Sequence, residues 1–396
     1  MRLEQPTAAA ARPCTASRPQ RLGSKWVLSI MALLALSTDA AQQSTAVATK
    51  AAPWGGNPCF ELPKMRKPGC RPSFLIIGAD KSGTSSLYYY VQAHPLVTAA
   101  RQKQIQFFDH AYSRGAESYV RKSFPHSLEP RHVTGEASPG YMVYSEVPQR
   151  VKDDLPDVRI LLMARDPVER AWSGYKYNYL RALQRGAMPI PFDTMVRWEI
   201  DRVLEPCMKE IKAAKARGGT TTGGTKAMID MSKTCYGKVP KKEQFREVYS
   251  GQPDFNGKTW PLSSLPKPCS YGCHQFVGRG LYINMMAWWY YIFPTDQIHI
   301  VCTEELSPPE VGAQTMAGVA AHIGLEPFDF LPTVSKGRYN VEGHEGYETI
   351  TSWDVKTPAK HEMDPKTRAY LTEYFREYSE ELFGLMQGRR CPWQGT

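Results

Sequence analysis

The chain has 396 residues, 42% of them hydrophobic and 22% charged, with 49 Lys and Arg against 39 Asp and Glu and a net charge of +10. That length and apolar share suffice to bury a sizeable core, which excludes a wholly disordered or fibrous chain. The basic residues do not form an array interleaved with aromatics, so the charge reads as a positive cleft for an anionic nucleotide, and for a glycan that is itself anionic, and nucleic acid is not an expected partner.

The chain opens with Arg2, Arg12, Arg18, Arg21 and Lys25 against Glu4 alone, followed by a compact apolar run from Trp26 to Ser37. A long basic head before such a run predicts a cytosolic tail over 1–25 and an uncleaved signal anchor over 26–42. Ala40-Ala41 keeps a cleaved signal peptide and secretion as the alternative. Residues 43–72, rich in Ala, Thr, Gln, Pro and Gly, read as a stem without a core of its own. The chain has nine cysteines, with spacings such as Cys59 to Cys70 and Cys269 to Cys273. These lack the paired pattern of a zinc site and point to disulfides in an oxidising compartment. Cys14, ahead of the apolar run, and Cys302, inside a predicted strand, are expected to be unpaired, and the connectivity of the rest is open.

The folded part begins at Phe74-Leu-Ile-Ile-Gly-Ala-Asp-Lys81-Ser-Gly83-Thr84-Ser85-Ser86-Leu87. The apolar run predicts a strand buried on both faces, the small residues a turn, and Thr84 onward a helix whose N-terminal amides face an anion. Lys81 precedes Gly83 and so sits inside the turn, unlike the lysine of a nucleoside triphosphate loop, which follows the last glycine ahead of a magnesium-binding hydroxyl. A second predicted strand, Arg159–Ala164, ends in Arg165-Asp166-Pro167 and leads through Arg170 to Ser173, an arrangement suited to a second phosphate. Two phosphate elements without a metal signature suggest a nucleotide phosphorylated at two places.

The pattern Gly78-x-x-Lys81-Ser-Gly-Thr84-Ser-Ser-Leu resembles the 5′-phosphosulfate loop of sulfotransferases that use 3′-phosphoadenosine 5′-phosphosulfate (PAPS). Arg165-x-Pro-x-x-Arg170-Ala-x-Ser173-x-Tyr175 resembles their 3′-phosphate element. The likeness is to the membrane-bound carbohydrate branch, including heparan sulfate sulfotransferase domains and N-acetylgalactosamine 4-sulfate 6-O-sulfotransferase. It implies a three-layer, P-loop-like α/β fold with a central parallel sheet flanked by helices over 73–388, an insertion at about 184–275 and a tail over 389–396. It further implies a PAPS-dependent O-sulfotransferase that needs no metal, with a carbohydrate acceptor. Its location would be the Golgi lumen, on a single-pass type II anchor. Lys81, Ser82, Gly83, Thr84, Ser85 and Ser86 would hold the 5′ end of the donor, and Arg165 with Ser173 the 3′-phosphate.

Lys103-Gln104-Ile-Gln-Phe107-Phe108-Asp109-His110 falls where the family carries Lys-Glu-x-x-Phe-Phe. The glutamate that takes the acceptor proton in that motif is Gln104 here, which is no base at any working pH. Asp109, His110 and Glu136 are the ionisable candidates left near the same strand ends. Ala137 stands where heparan-type members have lysine, and Ser85 where the 3-O-sulfating members have arginine, which argues against a heparan acceptor. Further helices are expected from Phe192 to about Ala216 and over 308–324, and another rich in Trp and Tyr after Gly278-Arg-Gly-Leu-Tyr282, with Trp288 and Trp289 in the core. Ser335-Lys336-Gly337-Arg338-Tyr339 resembles the loop that closes over the nucleotide, giving Lys336, Gly337 and Arg338 as donor-binding candidates. A last helix, from Pro365 to Met386, carries Tyr370, Leu371, Tyr374, Phe375, Leu382 and Leu385 on one face. Two other readings stand beside this one: a catalytically impaired sulfotransferase-like protein that binds glycan or nucleotide, motivated by Gln104, and a nucleotide kinase.

Overall fold

A computed structural model describes residues 59–60, 69–184, 191–218, 276–339 and 362–393. The apolar run at 26–37 lies outside these residues, as do Cys14 and positions 219–275 of the expected insertion. No described helix is long and apolar enough to cross a membrane.

Strands β1 (Cys59–Phe60) and β2 (Gly69–Cys70) pair antiparallel and are joined by a Cys59–Cys70 disulfide. The centre of the molecule is a parallel sheet of β3 (Phe74–Gly78), β4 (Gly135–Ala137), β5 (Arg159–Ala164) and β6 (Ile298–Cys302), in the order β4-β3-β5-β6. In chain order the helices are α1 (Thr84–Gln92), α2 (Ala116–Ser123), α3 (Val147–Asp154), α4 (Pro167–Gln184), α5 (Phe192–Glu199) and α6 (Glu205–Gly218). There follow α7 (Tyr282–Ile292), α8 (Pro309–His322), the single turn α9 (Leu331–Val334) and α10 (Pro365–Leu385).

Side chains alternate across the strands, and both sets are buried. Phe74, Ile76, Leu161, Met163 and Val301 meet Leu87 and Val91 of α1 and Met316 and Val319 of α8 on one face. Leu75, Ile77, Ile160, Leu162 and Ile300 meet Val151 of α3, Ala171 of α4, Trp288 of α7 and Phe375 of α10 on the other. Two covered faces make the three layers, and they explain why the strands read as unbroken apolar runs. Each Leu, Ile or Phe buried here contributes about 1.5–3 kcal/mol of transfer free energy. Trp288 and Trp289 are 1% and 0% exposed, so they are core residues.

Two expectations are corrected. Tyr370 is 44% exposed, whereas Leu371, Phe375, Leu382 and Phe383 are buried; the buried stripe of α10 starts one residue later, about 100° round the helix. Cys302 is bonded to Cys391. After α10 the chain returns to the end of β6, where Arg389 pairs with Glu305 and the Trp393 indole donates to Glu304 at 3.0 Å. Residues 389–393, read from the sequence as a tail, therefore lie against the sheet. A strand cysteine gives no hint of this, because its partner is 89 residues away.

Candidate donor-binding and catalytic site

The turn after β3 sits in the middle of the sheet, at the carboxyl ends of the strands. Here the chain leaves β3 first for β4 on one side and later for β5 on the other, the position at which open α/β sheets form their ligand crevice. Lys81 adopts φ 66° and Gly83 φ 88°. The left-handed conformation is costly for a lysine, and the turn is held by outside groups. The Ala79 amide donates to the Met163 carbonyl at 2.8 Å. The Thr303 hydroxyl, at the end of β6, lies 2.6 Å from the Ser82 carbonyl and 2.9 Å from that of Ala164. Arg165 Nη1 donates to the Lys81 carbonyl at 3.3 Å.

No side chain caps α1, and its first turn, Thr84-Ser85-Ser86, holds no carboxylate. The charges around it are mostly positive. Lys81 Nζ lies 4.1 Å from the centre of the Tyr177 ring, and Gly174 of α4 presents its Cα toward the Lys81 stem. Ser173 precedes that glycine. Lys103 Nζ donates to Ser85 Oγ at 2.7 Å. Arg279 pairs at 3.3 Å with Asp80, the acid within the turn. The chemistry of this set, an uncapped helix start, three hydroxyls and converging cations, fits a phosphosulfate group.

The second strand end is built for orientation. Asp166 Oδ1 accepts the Val168 and Glu169 amides at 2.8 and 3.3 Å and so caps α4. Tyr282 OH donates to the Arg165 carbonyl at 2.9 Å. Arg170, completely buried, donates to the Phe276 carbonyl. The buried Glu199 accepts the amides of Phe276, Val277 and Gly278 at 3.2, 2.9 and 2.7 Å, anchoring the segment that carries Arg279.

The Lys336-Gly337-Arg338 loop lies against α1. Ser86 Oγ accepts the Tyr339 amide at 2.9 Å, and Tyr90 OH donates to the Gly337 carbonyl at 2.6 Å. Gly337 has φ 95°, which a glycine adopts without strain, and the Tyr339 ring lies 4.9 Å from that of Tyr89. Elements more than 240 residues apart thus share one helix.

The candidate bases differ in their surroundings. Glu136 is completely buried and accepts from Ser138, Tyr141 and Tyr119 hydroxyls at 2.6, 2.5 and 3.0 Å. Burial pushes its carboxyl up to about 7, against the pull of those hydroxyls. Asp109 sits in the wide helical turn Phe107–Ala111. Its Oδ1 accepts the His110 amide at 2.9 Å, and its Oδ2 makes no hydrogen bond and faces the His110 ring at 3.7 Å. Burial raises the Asp109 carboxyl, and the His110 charge opposes that. Gln104 is exposed.

Residues 71–214 match the sulfotransferase domain family. The membrane-associated sulfotransferase kil1 of Dictyostelium discoideum is 27% identical over 358 residues, covering 84% of this chain and 69% of that protein. The matched domain is about a third of the chain, and the similarity to kil1 extends well beyond it. Human heparan sulfate glucosamine 3-O-sulfotransferases 6 and 5 are 38% and 40% identical over 116 and 106 residues. Those stretches are 29% and 26% of this chain and 33% and 30% of the two enzymes, so the chain matches about a third of each. A crystal structure of a sulfotransferase from Alicyclobacillus acidocaldarius aligns with a TM-score of 0.47 at 21% identity, over 81% of this chain and 97% of that one.

Four residues of the candidate site carry no signal that the sequence expectations used. Lys103 was visible as the first residue of its motif, beside the conspicuous Gln104. Tyr177 lies one turn beyond Ser173 on α4, and Arg279 opens the Gly-Leu-Tyr segment. Thr303 carries no motif signal, since its role depends on β6 lying next to β5.

Proposed function

We propose that this sulfotransferase moves a sulfuryl group from PAPS to a hydroxyl of a carbohydrate acceptor, in the lumen of the Golgi, on a type II N-terminal anchor. The reading is carried by the convergence on one helix start of Lys81, the Arg165 strand end and the Lys336-Gly337-Arg338 loop. The similarity to a membrane-associated sulfotransferase and the two described disulfides support the compartment.

The acceptor oxygen forms a bond to sulfur in line with the sulfur–oxygen bond that breaks, and the electron pair of that bond stays on the 5′-phosphate. Lys81 offsets the charge growing on the bridging oxygen, while the amides and hydroxyls of Ser82 to Ser86 hold the 5′ end. Arg165, Ser173, Lys336 and Arg338 hold the 3′-phosphate and so exclude ATP. The acceptor proton goes to the Asp109–His110 pair, Asp109 orienting the ring that stands 3.7 Å from its Oδ2. Glu136, its oxygens taken by three hydroxyls, supports the strand end.

Adenosine 3′,5′-bisphosphate should raise the melting temperature of this sulfotransferase strongly and ATP with magnesium much less, and Arg165→Ala should abolish the difference. Equal stabilisation by both nucleotides overturns the donor assignment. The absence of a carboxylate at Gln104 favours a second reading, a catalytically impaired binding protein. Labelled sulfate transfer to a panel of glycans decides between them.

A further inference from the structure

The Lys103 side chain is half-buried, and its ammonium ends on the first turn of α1, 2.7 Å from Ser85 Oγ. An ammonium has three protons, and this bond uses one. Its backbone is fixed as well, the Lys103 carbonyl accepting the Ala137 amide at 3.0 Å beyond β4. The stem is therefore held from one strand end while its charge is delivered to another element. Burial lowers the Lys103 ammonium to about 8, the carboxylate of Asp80 working against that and the charge of Lys81 adding to it. Two cations near enough to repel one another, with Asp80 already paired to Arg279, form an arrangement that an incoming anion relieves.

We infer that Lys103 is a second donor-site cation beside Lys81, binding the non-bridging oxygens at the 5′ end of the sulfuryl donor from its place on the first turn of α1. This rests on the donor reading above. Lys103 exchanges no proton and no bond in the transfer; it supplies charge at the reacting end, where the neutral Ser85 could not. The Ser85 hydroxyl is the positioning partner, keeping the ammonium on the helix start when no donor is present.

Lys103→Met keeps the length of the side chain and removes the charge, and its fold is checked by the melting temperature without nucleotide. Calorimetric titration with adenosine 3′,5′-bisphosphate should show affinity lowered on the order of tenfold or more, a charge-assisted hydrogen bond being lost. Adenosine 3′-monophosphate, which lacks the 5′ anion, should bind the variant and the parent alike. Arg165→Ala should weaken both nucleotides. Lys103→Arg, which retains a cation, should recover part of the bisphosphate affinity, a recovery that a purely structural lysine would not produce through the 5′ group alone. An unchanged bisphosphate affinity in Lys103→Met, or an equal loss for both nucleotides, overturns the inference. Failure of the parent protein to bind the bisphosphate at all overturns the donor reading instead.

Discussion

Replacing Thr303 by valine tests whether the donor turn is held from β6. Valine has nearly the shape of threonine and keeps the methyl that a side chain at Gly83 would meet at 3.6 Å, so packing is largely unchanged. What disappears is the hydroxyl lying 2.6 Å from the Ser82 carbonyl and 2.9 Å from the Ala164 carbonyl. One proton serves both acceptors, so the direct loss is a single net hydrogen bond of about 1 kcal/mol, and a buried carbonyl left unpaired adds about 1 kcal/mol or more. A total of about 2 kcal/mol corresponds to a fall in melting temperature of roughly 4–8 °C. The Ser82 carbonyl lies between Lys81 and Gly83, so the loss falls on the turn proposed above to bind the donor. The donor KM should therefore rise about tenfold to thirtyfold, the equivalent of that energy. Thr303→Ser restores the hydroxyl without the methyl, and its donor KM should stay near the parent value. Steady-state kinetics at varied PAPS, with thermal melts of all three proteins, measure both effects. A Thr303→Val protein with unchanged KM and melting temperature, or a serine variant as impaired as the valine one, refutes the reasoning.

Glu136, raised to about 7 in the folded protein from 4.5, should contribute stability that is full below pH 4.5 and lost as pH rises through 7. Glu136→Gln, which cannot ionise, should remove that pH dependence, on the order of 3 kcal/mol between pH 4.5 and 7.5, so urea midpoints of variant and parent should converge or cross as pH rises; parallel curves contradict the assignment. Cys391→Ser opens a covalent loop spanning 89 residues and should cost about 2–5 kcal/mol in urea unfolding, most of it lost equally by reducing the parent; a parent indifferent to reductant refutes this. Asp109→Asn and His110→Ala should each lower kcat on the order of a hundredfold while adenosine 3′,5′-bisphosphate binding persists, and normal turnover in both moves the proton acceptor elsewhere.

The local chemistry of this protein is legible along the chain. Phe74 to Ile77 and Ile160 to Ala164 announce buried strands because both faces of the sheet are covered, and Lys81-Ser-Gly83-Thr84 announces a tight turn into a helix because the residues that make one are consecutive. The extents of α8 and α10 followed for the same reason, since helical spacing is a property of neighbours. Only the tertiary structure decided what depends on proximity between distant residues. Cys302 meets Cys391 because the chain after α10 returns to the end of β6, a path that no spacing encodes. Thr303 holds the Ser82 carbonyl because β6 follows β5 in the sheet, and Lys103 reaches Ser85 because its segment runs beside β4. Glu136 and Asp109 are both carboxylates near one strand end; what separates them is whether hydroxyls occupy every oxygen. A linear sequence specifies charge and shape residue by residue, but the field that acts on each residue is set by what folding brings within a few ångströms of it.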